Sequence, residues 1–210
     1  MLRKIFIGIL WVISAISAFA GNKVDVVRHT PLNNASHVAV KTNLLYDIVA
    51  IPNIGAEVNV YNNWTLYGDL MYAGWNLPSR HMYWDLFGAQ YGIRKYFGLA
   101  SSERSFTGHH AGIYGQALAY DFQAGNIGQQ TPEINFSAGV EYGYSFPIAL
   151  NLNLDIEIGI GYLWGRYYEY VVTETHNTWR GTIQRAWVGP TKASVSLVWL
   201  IKSKKKQKKK

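Results

Sequence analysis

The sequence predicts an all-β fold, an eight-stranded antiparallel transmembrane β-barrel, and three observations lead there. Segments of two-residue alternation recur along the chain. In "NLNLDIEIGIGYLW" (151–164), Leu152, Leu154, Ile156, Ile158, Ile160, Tyr162 and Trp164 share one phase, and Asn153, Asp155, Glu157, Gly159 and Gly161 the other. Successive strand side chains point to opposite faces, so this strand has an apolar and a polar face. The composition is the second observation: 16% of the 210 residues are charged and 15% aromatic, with 8 Trp, 15 Tyr and 20 Gly. Soluble domains usually carry about 25% charged residues. The third is an export signal followed by no apolar run long enough to cross a membrane as a helix.

The amino terminus, "MLRKIFIGILWVISAISAFA", joins a basic start (Arg3, Lys4) to an apolar run from Ile5 to Ile16 and a small-x-small site at Ala18-Phe19-Ala20. Residues 1–20 are therefore expected to be a signal peptide cleaved before Gly21. Residues 21–37 are polar, contain Pro31 and lack a period, as a periplasmic leader would. The barrel is expected over 38–201, with strands at 38–49, 54–61, 64–75, 84–97, 108–121, 134–146, 150–165 and 187–201 and no helical period after the signal. "YNN" and "PIA" read as tight turns. The longest connection, 166–186, lies on the opposite side, the asymmetry of short periplasmic turns against long extracellular loops. "GLASSERSFT", between the fourth and fifth strands, is longer than that rule expects. Both termini then lie in the periplasm, with the barrel in the outer membrane of a Gram-negative cell envelope.

Aromatic girdles at the two ends of the apolar phase identify the lipid face. Trp64, Tyr144, Phe146 and Trp199 fall at the presumed periplasmic ends, and Tyr72, Tyr162 and Trp164 at the opposite ends. The other phase carries Asn43, Asn59, Gln90, Gln116 and Ser194 besides a charge network of Lys41, Glu57, Asp69, Arg94, Glu141, Asp155, Glu157 and Lys192. Eight strands leave an interior just wide enough for side chains to fill, so these charges are expected to pair and plug the lumen. Lys41, Glu57, Asp69, Arg94, Glu141 and Asp155 sit about three to five residues up their strands, a layer about 10–17 Å from one rim. Glu157 and Lys192 make a pair one step higher.

"KTNLLYDIVAIPNIGAEV" (41–58), "NNWTLYGDLMYAGW" (62–75) and "AWVGPTKASVSLVWLI" (186–201), with "YWDLFGAQYGIRKYF" and "IGIGYLWGRYYEY", resemble a family of small outer-membrane proteins of the Bacteroidota. The family is catalogued as a domain of unknown function and grouped with OmpA-like and PagP-like β-barrels. Its members are often encoded near fimbrillin-type adhesin genes, so the resemblance implies a link to surface fimbriae. The sequence departs from the pattern in ending "KSKKKQKKK" (202–210), where outer-membrane strands commonly end the chain.

That tail holds seven lysines and accounts for the whole formal charge of +7. The domain is thus neutral, and nucleic-acid binding is not expected. The tail reads either as a solvated terminus or as a ligand for anionic headgroups or cell-wall polymer. The chain has no cysteine, hence no disulfide, thiolate metal site or cysteine nucleophile. Of the six histidines (His29, His37, His81, His109, His110 and His176), His109 and His110 are adjacent and must point to opposite faces; both read as turn or interface residues. His176, near Glu174 in a polar loop, reads the same way. The glycines of "GIGYLWG" read as small inward residues making room for larger neighbours. "NFS" (135–137) is a glycosylation pattern in letters only, since it falls inside a strand.

No catalytic constellation, metal site or cofactor is therefore expected. The expected function is a structural or surface-assembly role, with membrane lipid or lipopolysaccharide, the barrel-insertion machinery and fimbrial components as partners. The alternatives are an enzyme acting on lipid or surface polymer through the extracellular loops, a narrow pore, or, more remotely, a soluble ligand-binding barrel.

Overall fold

The computed structural model describes residues 37–77, 82–172 and 177–201. The expected signal peptide, residues 21–36 of the expected leader and the lysine tail, with His29, His81 and His176, lie outside them. Nine antiparallel strands form one sheet: β1 (Val38–Asn43), β2 (Asn53–Tyr61), β3 (Trp64–Leu77), β4 (Met82–Phe97), β5 (Gly108–Ala124), β6 (Ile127–Gln130), β7 (Asn135–Ala149), β8 (Leu152–Val172) and β9 (Asn177–Ile201). The sheet closes on itself, with β9 paired to β1 from Val38↔Ile201 to Asn43↔Ser196. The ring has eight staves because β6 and β7 are two lengths of one descending stave. β6 pairs with the upper parts of β5 and β8, and β7 with their lower parts. The stave breaks at 131–134, where Pro132 has no N–H for a ladder. There Thr131 turns back on Tyr120, donating its backbone N–H to Tyr120 O (2.8 Å) while its hydroxyl accepts from Tyr120 N (2.9 Å).

With the end holding Val38 and Ile201 taken as the lower end, the staves differ in height. β2 and β3 join through Asn62 and Asn63, both at positive φ (44° and 63°), the conformation of a two-residue type I′ hairpin. β8 and β9 pair up to Val172↔Asn177, so most of the expected 166–186 loop is strand. The expected strands stop at Gly165 and restart at Trp187, but "RYYEYVV" is aromatic and β-branched, and a hairpin continues wherever cross-strand pairs support it.

The expected first strand, 38–49, is corrected too. β1 stops at Asn43 and a short helix, α1 (Leu44–Ile48), follows. Asn43 caps it by accepting from Leu45 N (3.1 Å). Asp47 then accepts from the Thr42 hydroxyl (3.0 Å) and the Asn53 amide (2.8 Å), tying the helix back to both strands. The long lower connection contains a second helix, α2 (Leu99–Glu103). Helix in both places is too short to show a period in sequence.

Polarity is inverted relative to a soluble barrel. Arg94 is 0% exposed and Glu57 1%, whereas Ile113 is 60% exposed and Val140 62%. The outer face is apolar over most of the wall. Trp64, Tyr72, Phe146, Tyr162, Trp164 and Trp199 stand exposed on it and Tyr144 is half-buried. The Tyr144 and Phe146 rings are 4.4 Å apart low on the wall, and those of Tyr162 and Trp164 are 5.7 Å apart high on it. Leu154, expected in contact with lipid, is on the outward phase but buried.

Candidate functional site

The buried charges meet around one side chain. Arg94, in the middle of β4, lies wholly inside the ring, where its Nη1 donates to Glu157 Oε2 (2.6 Å) and Asp155 Oδ2 (3.3 Å). Its Nε lies 3.5 Å from Glu57 and 3.6 Å from Glu141. Lys192 reaches from β9 to Glu141 (2.5 Å) and also pairs with Glu157. Lys41 pairs with Asp69 (3.2 Å). All eight residues expected in the lumen network are thus brought together, and Glu157 joins the two layers expected at different heights by contacting both Arg94 and Lys192. Five carboxylates face three cations here, an imbalance that hydrogen-bond donors must offset.

Those donors lie outside the eight residues expected in the network. Tyr67 donates to Glu141 (2.6 Å), accepts from Lys192 (2.8 Å), and presents its ring to Lys41 and Arg94, each 4.2 Å from the centroid. Thr65 donates to Glu57 (2.6 Å). His110, expected at a turn or interface, is fully buried in the network. Its Nε2 lies 2.8 Å from Asp155 Oδ1, and its Nδ1 lies 3.4 Å from Arg94 Nη1. A guanidinium can only donate, so these partners assign the Nε2–H tautomer, which donates to Asp155. The expected split is there: His109 is exposed on the outer face, beside Tyr142 Oη at 2.6 Å. The inward alternation that marks Arg94 and Gly112 marks His110 as well, and that was the available signal.

Above the charges a hydrogen-bond chain crosses four staves: Ser137 donates to Gln116 (2.6 Å), Gln116 to Gln90 (2.7 Å) and Gln90 to Asp69 (3.1 Å). Higher still the interior turns apolar. Ile51, Met71, Ala73, Leu86 and Tyr120 form a buried cluster against which Tyr46 and Val49 pack from the α1 segment. Below the charges, Phe106 inserts between Tyr96, Ala39, Val198 and Leu200. "GLASSERSFT" is therefore a plug, which accounts for its length. It is latched by Asn153, which donates to Phe106 O (2.6 Å), and by Arg104, which donates to Ala149 O (3.0 Å) and whose guanidinium is lowered from its usual value by burial. Phe106 keeps φ at +57°, a conformation costing an aromatic residue about 1–3 kcal/mol that its burial must offset. Buried side chains thus occupy the ring at three heights rather than at the charged belt alone.

"GPTK" explains itself as a bulge. Ile160 pairs with Pro190 and Gly159 with Lys192, leaving Thr191 as an extra residue. Thr191 and Lys192 both turn inward, Thr191 meeting the Tyr114 hydroxyl. Gly159 is small because Tyr114 lies across it: a Cβ there would come within 2.7 Å of that ring. Asn135 of "NFS" is buried and accepts from Arg166 N (3.0 Å), which leaves no room for a glycan.

One group of donor atoms could in principle converge on a metal ion, that of His110, Asp155 and Glu157, within 4.8 Å of one another. Arg94 Nη1 already lies 2.6–3.4 Å from all three, so a guanidinium holds the place an ion would take. Among the described residues, no nucleophile stands beside His110 with access to solvent. The arrangement can hold staves together and close the lumen; it offers no exposed acid–base pair.

A family model described as "Protein of unknown function (DUF3575)" matches residues 23–201. No curated protein and no solved structure matches the chain.

Proposed function

The chain belongs to the DUF3575 family of unknown function, and from that premise we propose that it is a small outer-membrane barrel with a structural or surface-assembly role and a lumen closed to solutes. The inverted polarity carries this reading. Burying an ion pair such as Arg94–Glu57 while leaving Ile113 and Val140 bare is unfavourable in water, whereas a bilayer covers the bare face. On β4 the outward run from Lys95 through Ile93, Tyr91, Ala89 and Phe87 reaches Asp85, and so spans about the 9–11 residues a strand needs to cross. The lower end, which holds Val38 and Ile201, faces the periplasm, and the tall β8–β9 hairpin faces outward.

Closure follows from the three interior layers. Phe106 below, the Arg94 network in the middle and the Met71–Tyr120 cluster above occupy the ring at three heights. Fractionation tests membrane residence: the protein should leave the envelope only with detergent and run with heat-modifiable mobility. Recovery in the aqueous periplasmic fraction would sink the reading. The surface-assembly role draws on the resemblance to proteins encoded near adhesins. A deletion strain scored for fimbriae and envelope integrity tests it, and wild-type behaviour in both would remove it.

A further inference from the structure

Above the Thr191 bulge, Gly189, Trp187, Arg185 and Ile183 share the inward face of β9, beside Leu163 and Tyr167 of β8. Among the described residues, no strand pairs with them on the side away from β8. β1 has ended at Asn43, opposite Ser196, and β2 begins only at Asn53, opposite Met71, so upper β9 has β8 on one side and no stave on the other. Trp187 consequently stays 52% exposed on the lumen side of the wall. Leu163, Tyr167 and residues 183–187 line an open concavity of about 430 Å³, within the range of small-molecule sites.

Arg185 is the charged residue of this hollow, whose lining also includes Gln184 and Tyr167 beside the apolar Leu163, Ile183 and Trp187. Its guanidinium lies 4.5 Å over the Tyr167 ring and donates to the Tyr120 hydroxyl (3.0 Å). Among the described residues no carboxylate pairs with it, whereas Arg166 and Arg180 on the same hairpin pair with Glu133 and Glu169. Arg185 is opposite Gly165, one rung above Trp164 of the upper aromatic group, which is headgroup height if the barrel spans a bilayer.

We infer that this hollow binds an anionic amphiphile, a lipid with a phosphate or carboxylate head. The head sits on Arg185, and the tail lies along Trp187 and Leu163, on the side of upper β9 with which no strand pairs. The inference rests on the membrane reading above. An unpaired guanidinium supplies the charge-assisted hydrogen bonds such a head requires, and the apolar lining accepts the tail.

The test titrates the full chain in neutral maltoside micelles with dodecyl phosphate, read by native mass spectrometry and tryptophan fluorescence. Inorganic phosphate serves as the tail-less control and dodecyltrimethylammonium as the control of opposite charge. Dodecyl phosphate should bind saturably and the controls should not displace it. Arg185→Gln should weaken binding by about tenfold or more, the worth of one charged hydrogen-bonding partner, and Trp187→Ala should weaken it less. Equal binding of both dodecyl compounds would reduce the hollow to a greasy surface, and displacement by inorganic phosphate would reduce it to a bare anion site; either result overturns the inference, as does unchanged binding by folded Arg185→Gln. Should that variant not fold, the competition on the unaltered protein decides alone. Insertion into phosphatidylcholine vesicles, scored separately, distinguishes a failed lipid site from a failed membrane reading.

Discussion

Arg94 is the residue on which the interior depends. It contacts four carboxylates, from β2, β7 and β8, and is fully buried. Removing one partner of a buried network leaves charge uncompensated, and Arg94→Ala should destabilise the folded barrel by about 3–5 kcal/mol, measured by urea unfolding in vesicles. Glu157→Gln in the same background should restore part of that loss, because it removes one of the orphaned charges; full additivity of the two changes would contradict the shared contact. His110 belongs to the same network but was not legible as such. Its inward phase could be read from the alternation, but its partners sit on β4 and β8, and only their registers bring them within reach.

At the scale of elements, the lower connection has a specific job. Phe106 fills the end of the lumen from a strained backbone, so its side-chain burial must outweigh that strain. Phe106→Ala should cost about 3–5 kcal/mol, as aromatic truncations in cores do, and should open the lower end to a soluble thiol reagent directed at a cysteine placed at Val198. A variant of wild-type stability and unchanged labelling would mean that the loop merely rests against the rim. The tight Asn62-Asn63 turn was legible because its residue types tolerate positive φ. Helix α1 was not, since five residues contain barely more than one turn and Leu44 and Leu45 continue an alternation-like apolar run.

For the whole molecule, the prediction concerns its two faces. Arg at Ile156, Ile158 or Ile160, all exposed on one phase of β8, should oppose folding into a bilayer by about 2–4 kcal/mol near the midplane and less toward the rims. Arg at Ser194, on the inward phase, should disturb packing without that depth dependence. Identical behaviour in bilayers of different thickness would refute the assignment of faces. Planar-bilayer recordings should show little steady conductance for the unmodified protein, since side chains fill the ring at three heights; large stable conductance would contradict that closure.

The sequence by itself determined the class of fold, the number of staves in the ring and the face on which each charge lies. All three follow from a two-residue period, and that period is a local property: a side chain's face is set by its immediate neighbours. Tertiary structure alone decided what those faces enclose. Glu57, Arg94, Glu141 and Asp155 come from four different staves, and the height at which they meet is set by strand register. The same holds for the split sixth stave, the Phe106 plug and the gap beside upper β9. Each depends on where a neighbouring strand stops, and no stretch of sequence records how far its partner extends.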